Sequence, residues 1–227
     1  MRRTMLFLPG NTPNMLVNGD TLGADTIIFD LEDAVSPDEK DAARILVRNA
    51  LRYQSTDNCE TVVRINPTDT AFWKEDLKAV IPLKPDVIMP TKVNGAAMIQ
   101  EVSAYMAQVE KKAGIEEGTV KILPLIETAL GVEKSFEIAS ADKRVIGIFL
   151  GGEDFTADMH CKRTKEGKEI FYARTRLVCA HGHAELKPMI HHLPMWKIWK
   201  ACEKIQNLQK VWDLQEKQLF PRDMWTS

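Results

Sequence analysis

The sequence predicts an α/β protein of the (β/α)8 TIM-barrel class, incomplete, with about six βα units ahead of residue 180. Three observations carry that expectation. Near-continuous apolar runs recur at residues 5–8, 26–30, 61–65, 86–89, 121–126 and 145–150, as expected of parallel strands buried on both faces. Amphipathic stretches at 37–53, 73–80, 96–113 and 131–139 separate the runs, giving the strand–helix alternation of parallel crossovers. Charged residues stand where several runs end, which a barrel would gather at one common mouth.

The elements follow in order. Arg2 and Arg3 precede Met5-Leu6-Phe7-Leu8, but Pro9-Gly10 stops that run too early for a signal peptide or a membrane span. The second run, Thr26 to Asp30, opens into Leu31-Glu32-Asp33. Ser36-Pro37-Asp38-Glu39 is a helix start, with a hydroxyl cap, proline at the first helical position and acids in the first turn. The third run ends in Arg64, the fourth is followed by Lys92, the fifth by Glu127 and the sixth by Gly151-Gly152-Glu153-Asp154. No GxGxxG or GxxxxGK[ST] follows the first strand, which removes the common nucleotide-binding readings. A doubly wound sheet, the other parallel architecture, would collect ligands at one switch point and not along every strand end.

Composition bounds the rest. At 227 residues, with 44% apolar and 27% charged residues, the chain carries enough apolar matter for a sizeable core. A formal net charge of −2 argues for neither nucleic acid nor an anionic membrane as partner. The four cysteines show no CxxC spacing, and in a chain of this length they read as reduced thiols in a cytoplasmic protein.

Glu127 and Asp154 are the sharpest candidate pair. Each follows an apolar strand, and two such carboxylates suit Mg2+, which takes one or two protein carboxylates and completes its shell with water and substrate oxygens. Arg64 is a planar, bidentate donor for a substrate carboxylate. Gly151 and Gly152 would let backbone N–H groups approach an anion closely. A metal and an arginine around an α-keto acid provide what a retro-aldol cleavage needs, with the metal polarising the keto oxygen and stabilising the enolate. Blander readings stand beside these. A strand-end carboxylate by itself often only caps a helix, and Arg64 by itself is compatible with a surface ion pair. Glu32 and Asp33 are compatible with capping the next helix or with holding waters of the metal. Lys92 is compatible with a Schiff-base lysine, but it lies beyond the strand after Pro90, which favours a solvated side chain.

The motifs MLFLPG, FDLEDAVSPDEK, TVVRINP, LPLIET, GIFLGGEDF and FYARTRLV resemble, in order and spacing, the citrate lyase beta subunits within the citrate lyase/HpcH–HpaI aldolase family. The resemblance covers about residues 2–180. It implies a Mg2+-dependent (β/α)8-barrel lyase with Glu127 and Asp154 as metal ligands, Arg64, Glu127 and Gly152 at the substrate, and Arg64, Glu127 and Asp33 in catalysis. It also implies cleavage of a citryl thioester, on coenzyme A or an acyl carrier protein, to oxaloacetate and an acetyl thioester. Citrate lyase alpha and gamma subunits in an oligomeric complex are the implied partners. Relatives that cleave malyl-CoA or other β-hydroxyacyl-CoA esters share the motifs.

Composition changes abruptly near Ala180. Four of the five tryptophans (Trp196, Trp199, Trp212, Trp225) and four of the five histidines (His181, His183, His191, His192) lie beyond it, and no glycine follows Gly182. The family pattern departs at the same point. Reading the permitted codons one base earlier places forced family residues in register: valine at Met195-Trp196, glycine at Trp212-Asp213 and aspartate at Met189-Ile190. Residues 185–202 then hide GIEAYDTPFTDVEDMEGL and residues 212–226 hide LGFTGKAVISPRHVD, the seventh and eighth βα units in order. Residues 181–227 are therefore expected to be a frameshifted, non-native tail, irregular or with a stray helix over 208–220. The four histidines then do not read as a metal cluster. Six strands cannot close an eight-stranded barrel, so poor closure and doubtful activity are expected of this chain, with residues 1–180 as a partial lyase barrel.

Overall fold

A computed structural model describes residues 2, 4–53 and 59–184, all of which fall in one compact unit, Met1–His191. The elements run β1 (Met5–Pro9), α1 (Pro13–Asn18), β2 (Thr26–Asp30), α2 (Lys40–Tyr53), β3 (Glu60–Arg64), α3 (Phe72–Val80), β4 (Val87–Met89), α4 (Ala96–Ala113), β5 (Lys121–Ile122), β6 (Leu125–Ile126), α5 (Ala129–Glu133), α6 (Ser135–Ala139), β7 (Phe149–Leu150), α7 (Gly152–Asp158) and α8 (Phe171–His183). Strands β1 to β5 form one parallel sheet in sequence order, and β6 pairs in parallel with β7. An isolated parallel bridge, Ile122 to Val145, ties the two sheets together.

The predicted fifth and sixth strands are therefore present but broken. Pro124 lies between β5 and β6 and has no N–H to give the ladder; its carbonyl still accepts from Phe149 N at 2.8 Å. The predicted helix over 131–139 divides at Lys134 (φ −90°, ψ 9°). At 37–53 a 3-10 turn, Pro37–Glu39, precedes α2. Ser36 does not cap through its hydroxyl; its Oγ instead meets Glu39 Oε2 at 3.0 Å, and Glu39 N donates to the Ser36 carbonyl. Helices α1, α7 and α8 complete the pattern. The predicted boundary at residue 180 falls inside α8, and residues 185–227 lie outside the described set, including the expected stray helix.

Side chains alternate along the strands. Ile27, Phe29, Val63, Ile88 and Ile122 pack toward the helices, whereas Ile28, Val62, Val87, Met89, Leu123, Leu125 and Phe149 form a second buried cluster on the opposite face. That is barrel packing: both faces are dry, which is why the strands read as unbroken apolar runs. The curl of the sheet brings the Phe7 ring on β1 within 6.4 Å of Phe149 on β7, edge to face. Among the described residues, no helix is long and apolar enough to cross a membrane.

The end of the sheet away from the strand C-termini is fastened by a buried ion pair. Arg144 donates from Nη1 to Glu110 Oε1 at 2.9 Å and from Nη2 to Oε2 at 2.6 Å, and also from Nη1 to the Val120 carbonyl. Gly118 and Val120 N–H groups complete the Glu110 carboxylate. Burial raises the Glu110 pKa, but the Arg144 and backbone hydrogen bonds outweigh it and the net shift is downward. A depressed acid adds stability above its unfolded pKa and loses it as pH falls through its folded value. Arg144→Met, which strands the buried carboxylate, is expected to lower unfolding free energy by about 3–5 kcal/mol in urea titrations at neutral pH, with the deficit shrinking in acid.

Candidate functional site

The C-terminal ends of the strands carry the charges, as the sequence predicts. Strand register sets the first contact: Asp30, the last residue of β2, lies beside Arg64, the last of β3. Arg64 donates bidentately to Asp30, Nε to Oδ1 at 2.8 Å and Nη2 to Oδ2 at 2.5 Å. Its guanidinium also lies over the Phe7 ring, 5.1 Å from the centroid. Burial opposes its charge, but Asp30, Glu32 and Glu127 outweigh that and raise its pKa. The bidentate fork assigned from sequence to a substrate carboxylate is thus occupied by Asp30. What remains is Nη1, 3.2 Å from Glu32 Oε2 and 3.9 Å from Asp33 Oδ2.

The Leu31-Glu32-Asp33 loop is held on both sides. Asp30 accepts from Glu32 N at 2.8 Å and Ala34 N at 3.3 Å, and the buried Lys40 ammonium donates to the Leu31 carbonyl at 2.8 Å and the Glu32 carbonyl at 2.6 Å. Glu32 and Asp33 therefore do not cap α2. Glu32 is buried and takes Asp33 N on its own carboxylate, whereas Asp33 is half exposed at the rim. Burial is the main cause that raises the Glu32 pKa, against Arg64.

Across the mouth, Glu127 follows β6 and is 2% exposed. Its Oε2 accepts from Lys92 N at 3.0 Å, and Lys92 takes a left-handed φ of 52° to deliver that N–H. The Glu127 carboxyl also shares a hydrogen bond with Asp154, in the first turn of α7. Burial, then that hydrogen bond, then the Asp154 and Glu32 charges push Glu127 from 4.5 up to about 8, against the Lys92 N–H. Glu127 is therefore largely protonated at neutral pH when no cation is bound.

Two expectations change here. The close approach falls on Gly151, not Gly152: a Cβ on Gly151 would lie 2.5 Å from Glu127 Cγ, whereas one on Gly152 meets nothing nearer than 3.7 Å. The Gly151 N–H is also taken by the Ile126 carbonyl, so it is not offered to an anion. Lys92 is not a merely solvated lysine. Its Nζ is 3.1 Å from Glu32 Oε1 and 4.0 Å from Asp33 Oδ1. Burial lowers its pKa, but those carboxylates outweigh it and raise the value, so the amine stays protonated and unsuited to Schiff-base attack.

Five carboxylates (Asp30, Glu32, Asp33, Glu127, Asp154) face three cations (Lys40, Arg64, Lys92) around this mouth. With Glu127 ionised, two negative charges are left over, the charge of one divalent cation. Among the described residues no three His, Cys, Asp or Glu side chains gather at metal-binding spacing. The donor set at Glu127 and Asp154 is thus two hard carboxylate oxygen donors, which fits Mg2+ completing its octahedron with water and substrate.

Sequence reasoning missed Lys40 and the Asp76 brace. Asp76 accepts from Asn66 N and Nδ2 on one oxygen and from Arg44 Nε on the other, and so fixes the turn after Arg64. A signal was present, because Asp76 falls on the buried stripe Trp73–Leu77–Val80 of α3.

A model of the HpcH/HpaI aldolase/citrate lyase family matches residues 3–189. The citrate lyase subunit beta of Leuconostoc mesenteroides subsp. cremoris is 47% identical over 180 residues, 79% of this chain and 60% of that protein. An L-malyl-CoA/beta-methylmalyl-CoA lyase of Cereibacter sphaeroides is 34% identical over 175 residues, 75% of this chain and 55% of that one. The crystal structure of protein CitE from Mycobacterium tuberculosis in complex with magnesium and acetoacetate superposes with a TM-score of 0.71 at 26% identity, covering 92% of this chain and 83% of the other. The chain spans about 60% of the length of the curated citrate lyase relatives it matches.

The raised Glu127 carboxyl makes a signed prediction for metal-free protein. An acid with a raised folded pKa is no burden below its unfolded value of 4.5, destabilises increasingly as pH climbs from there to about 8, and levels off above that. Glu127→Gln is expected to stabilise the metal-free chain by about 2–4 kcal/mol near pH 9, with the gain vanishing toward pH 4. Unfolding curves with chelator at the two pH values check it.

Proposed function

The chain belongs to the HpcH/HpaI aldolase/citrate lyase family, and we propose that its mouth is built for Mg2+-dependent retro-aldol cleavage of a citryl thioester, on coenzyme A or an acyl carrier protein, to oxaloacetate and an acetyl thioester. The observation that carries this reading is Glu127, buried and set against the partly exposed Asp154, in the field of Arg64 and Lys92. Mg2+ held by those two carboxylates supplies the Lewis acidity that such a cleavage draws on.

The chain's own groups divide the remaining work. Glu127, held by the Lys92 N–H in the space that Gly151 leaves for it, presents its carboxylate to metal and substrate. Arg64, locked by Asp30, offers Nη1 to a substrate oxygen, and the Lys92 ammonium adds positive charge where a substrate carboxylate enters. Asp33 is the half-exposed acid at the rim and sits between both cations, where it accepts the proton released by the substrate hydroxyl. Gly152, at the first turn of α7, borders the same space. Partners of the citrate lyase type, alpha and acyl-carrier gamma subunits, belong to this proposal, supported by the identity to subunit beta relatives. The malyl-CoA lyase relative supports a second reading, the same chemistry on a β-hydroxyacyl-CoA.

Residues 181–227 enter the proposal as an out-of-frame segment, on the strength of the forced codons. Among the described residues β1 pairs only with β2, and β7 only with β6. Resequencing the DNA around codons 179–181 tests the frame: an intact, single reading through those codons in independent clones sinks it.

Cleavage of citryl-CoA and malyl-CoA with and without Mg2+ tests the chemistry, in the 227-residue chain and in one with the base restored. The restored chain is expected to cleave citryl-CoA in preference and only with Mg2+. Glu127→Gln and Asp154→Asn are each expected to lower kcat/KM by at least about 100-fold. Undiminished turnover in both variants, or turnover that ignores chelator, defeats the assignment.

A further inference from the structure

The loop from α7 to α8 carries Lys162, Arg163, Lys165 and Lys168 against Glu166 and Glu169, and its backbone is built rather than loose. Glu169 accepts from Thr164 Oγ1 at 2.6 Å, Thr164 N at 3.0 Å and Arg163 Nη1 at 2.5 Å. Those bonds, the Thr164 hydroxyl first, hold Glu169 down at about 2, so it stays charged and keeps Arg163 in place. Arg163 reaches back toward the mouth: its Nε is 3.3 Å from Glu153 Oε1 and 3.7 Å from where a Cβ on Gly152 would stand.

Arg174, in the first turn of α8, converges on the same place. A Cβ built on Gly167 would lie 3.5 Å from Arg174 Nη1 and 3.7 Å from Arg163 Nη1. Unlike Arg163, Arg174 makes no hydrogen bond or ion pair among the described residues. Burial and then the like charge of Arg163 lower its pKa, and Glu169 only partly compensates. A half-buried guanidinium aimed at another guanidinium, with no carboxylate of its own, is an unfavourable arrangement unless an anion bridges the two.

We propose that Arg163 and Arg174 form an anion site for a phosphate group, on the flank of α7 beside the metal-binding pair. The Arg174 fork is the open one and matches the oxygens of a phosphate monoester, while Arg163, whose Nη1 is given to Glu169 and the Thr164 carbonyl, adds positive charge beside it. The phosphate comes either as the free ion or as the phosphate of a thioester carrier; only the second source rests on the lyase reading above.

Isothermal titration of the 227-residue chain, with chelator and at fixed ionic strength, tests the site with inorganic phosphate and separately with coenzyme A. Because neither Mg2+ nor turnover enters, a failure here is distinct from a failure of the cleavage assay. Saturable binding that Arg174→Gln weakens by at least about tenfold, and Arg174→Lys by less, is the expected result. Binding of both probes or of phosphate alone supports a free-phosphate site, and binding of coenzyme A alone supports a carrier site. Without ligand, the Arg174→Gln chain is expected to melt no lower than the parent, since it loses only a repulsion; a structural arginine would melt lower. The proposal is overturned if neither probe binds, if Arg174→Gln binds like the parent, if chloride reproduces the heat, or if Arg174→Gln melts clearly lower.

Discussion

A buried carboxyl, Glu127, forced against the partly exposed Asp154 is the interaction around which this mouth is arranged. Glu127 is nearly inaccessible and hydrogen-bonded to Asp154, with Glu32 adding a third negative potential. Like charges in a poorly solvated place are costly, and a proton or a cation must relieve them. The surroundings do not relax the pair; they hold it. Gly151, with no Cβ, leaves the space that the Glu127 side chain occupies, and Lys92 adopts a left-handed backbone to donate its N–H to that carboxylate. Strain kept at strand ends persists only with a packed barrel beneath it.

The opposite rim solves its charge problem by pairing. Asp30 takes both arms of Arg64, Lys40 satisfies two carbonyls of the acidic loop, and Glu32 meets Lys92. Each buried charge there has a partner, as low-dielectric burial requires. Asp33 and Lys92 are left about half exposed, and Arg64 Nη1 points away from the bidentate partner. The groups able to change partners during a reaction are thus few, and they stand on the side facing Glu127 and Asp154.

Much of this was legible in the sequence because it is local. Unbroken apolar runs announced doubly buried strands, and the charges after them announced a mouth; Glu127, Asp154, Arg64 and Asp33 could be named from position alone. What was not legible depends on pairing at a distance. Strand register, not spacing, places Asp30 beside Arg64, 34 residues apart. Lys40 carries no signal of its own in the sequence, and only the path of the loop turns its ammonium onto the Leu31 and Glu32 carbonyls. Gly151 and Gly152 were indistinguishable as letters; their difference is the position of the Glu127 side chain. Pro124 within an apolar run hid a break because both halves remain buried.

A calorimetric titration with Mg2+ near neutral pH, repeated in buffers of different ionisation enthalpy, probes the paired carboxyls most directly. Metal and proton compete for the same oxygens, so about one Mg2+ should bind per chain with release of close to one proton, and Glu127→Gln or Asp154→Asn should abolish both. Mg2+ binding that releases no proton and survives both substitutions, or no binding at all, would contradict the assignment of Glu127 and Asp154 as the metal-holding pair.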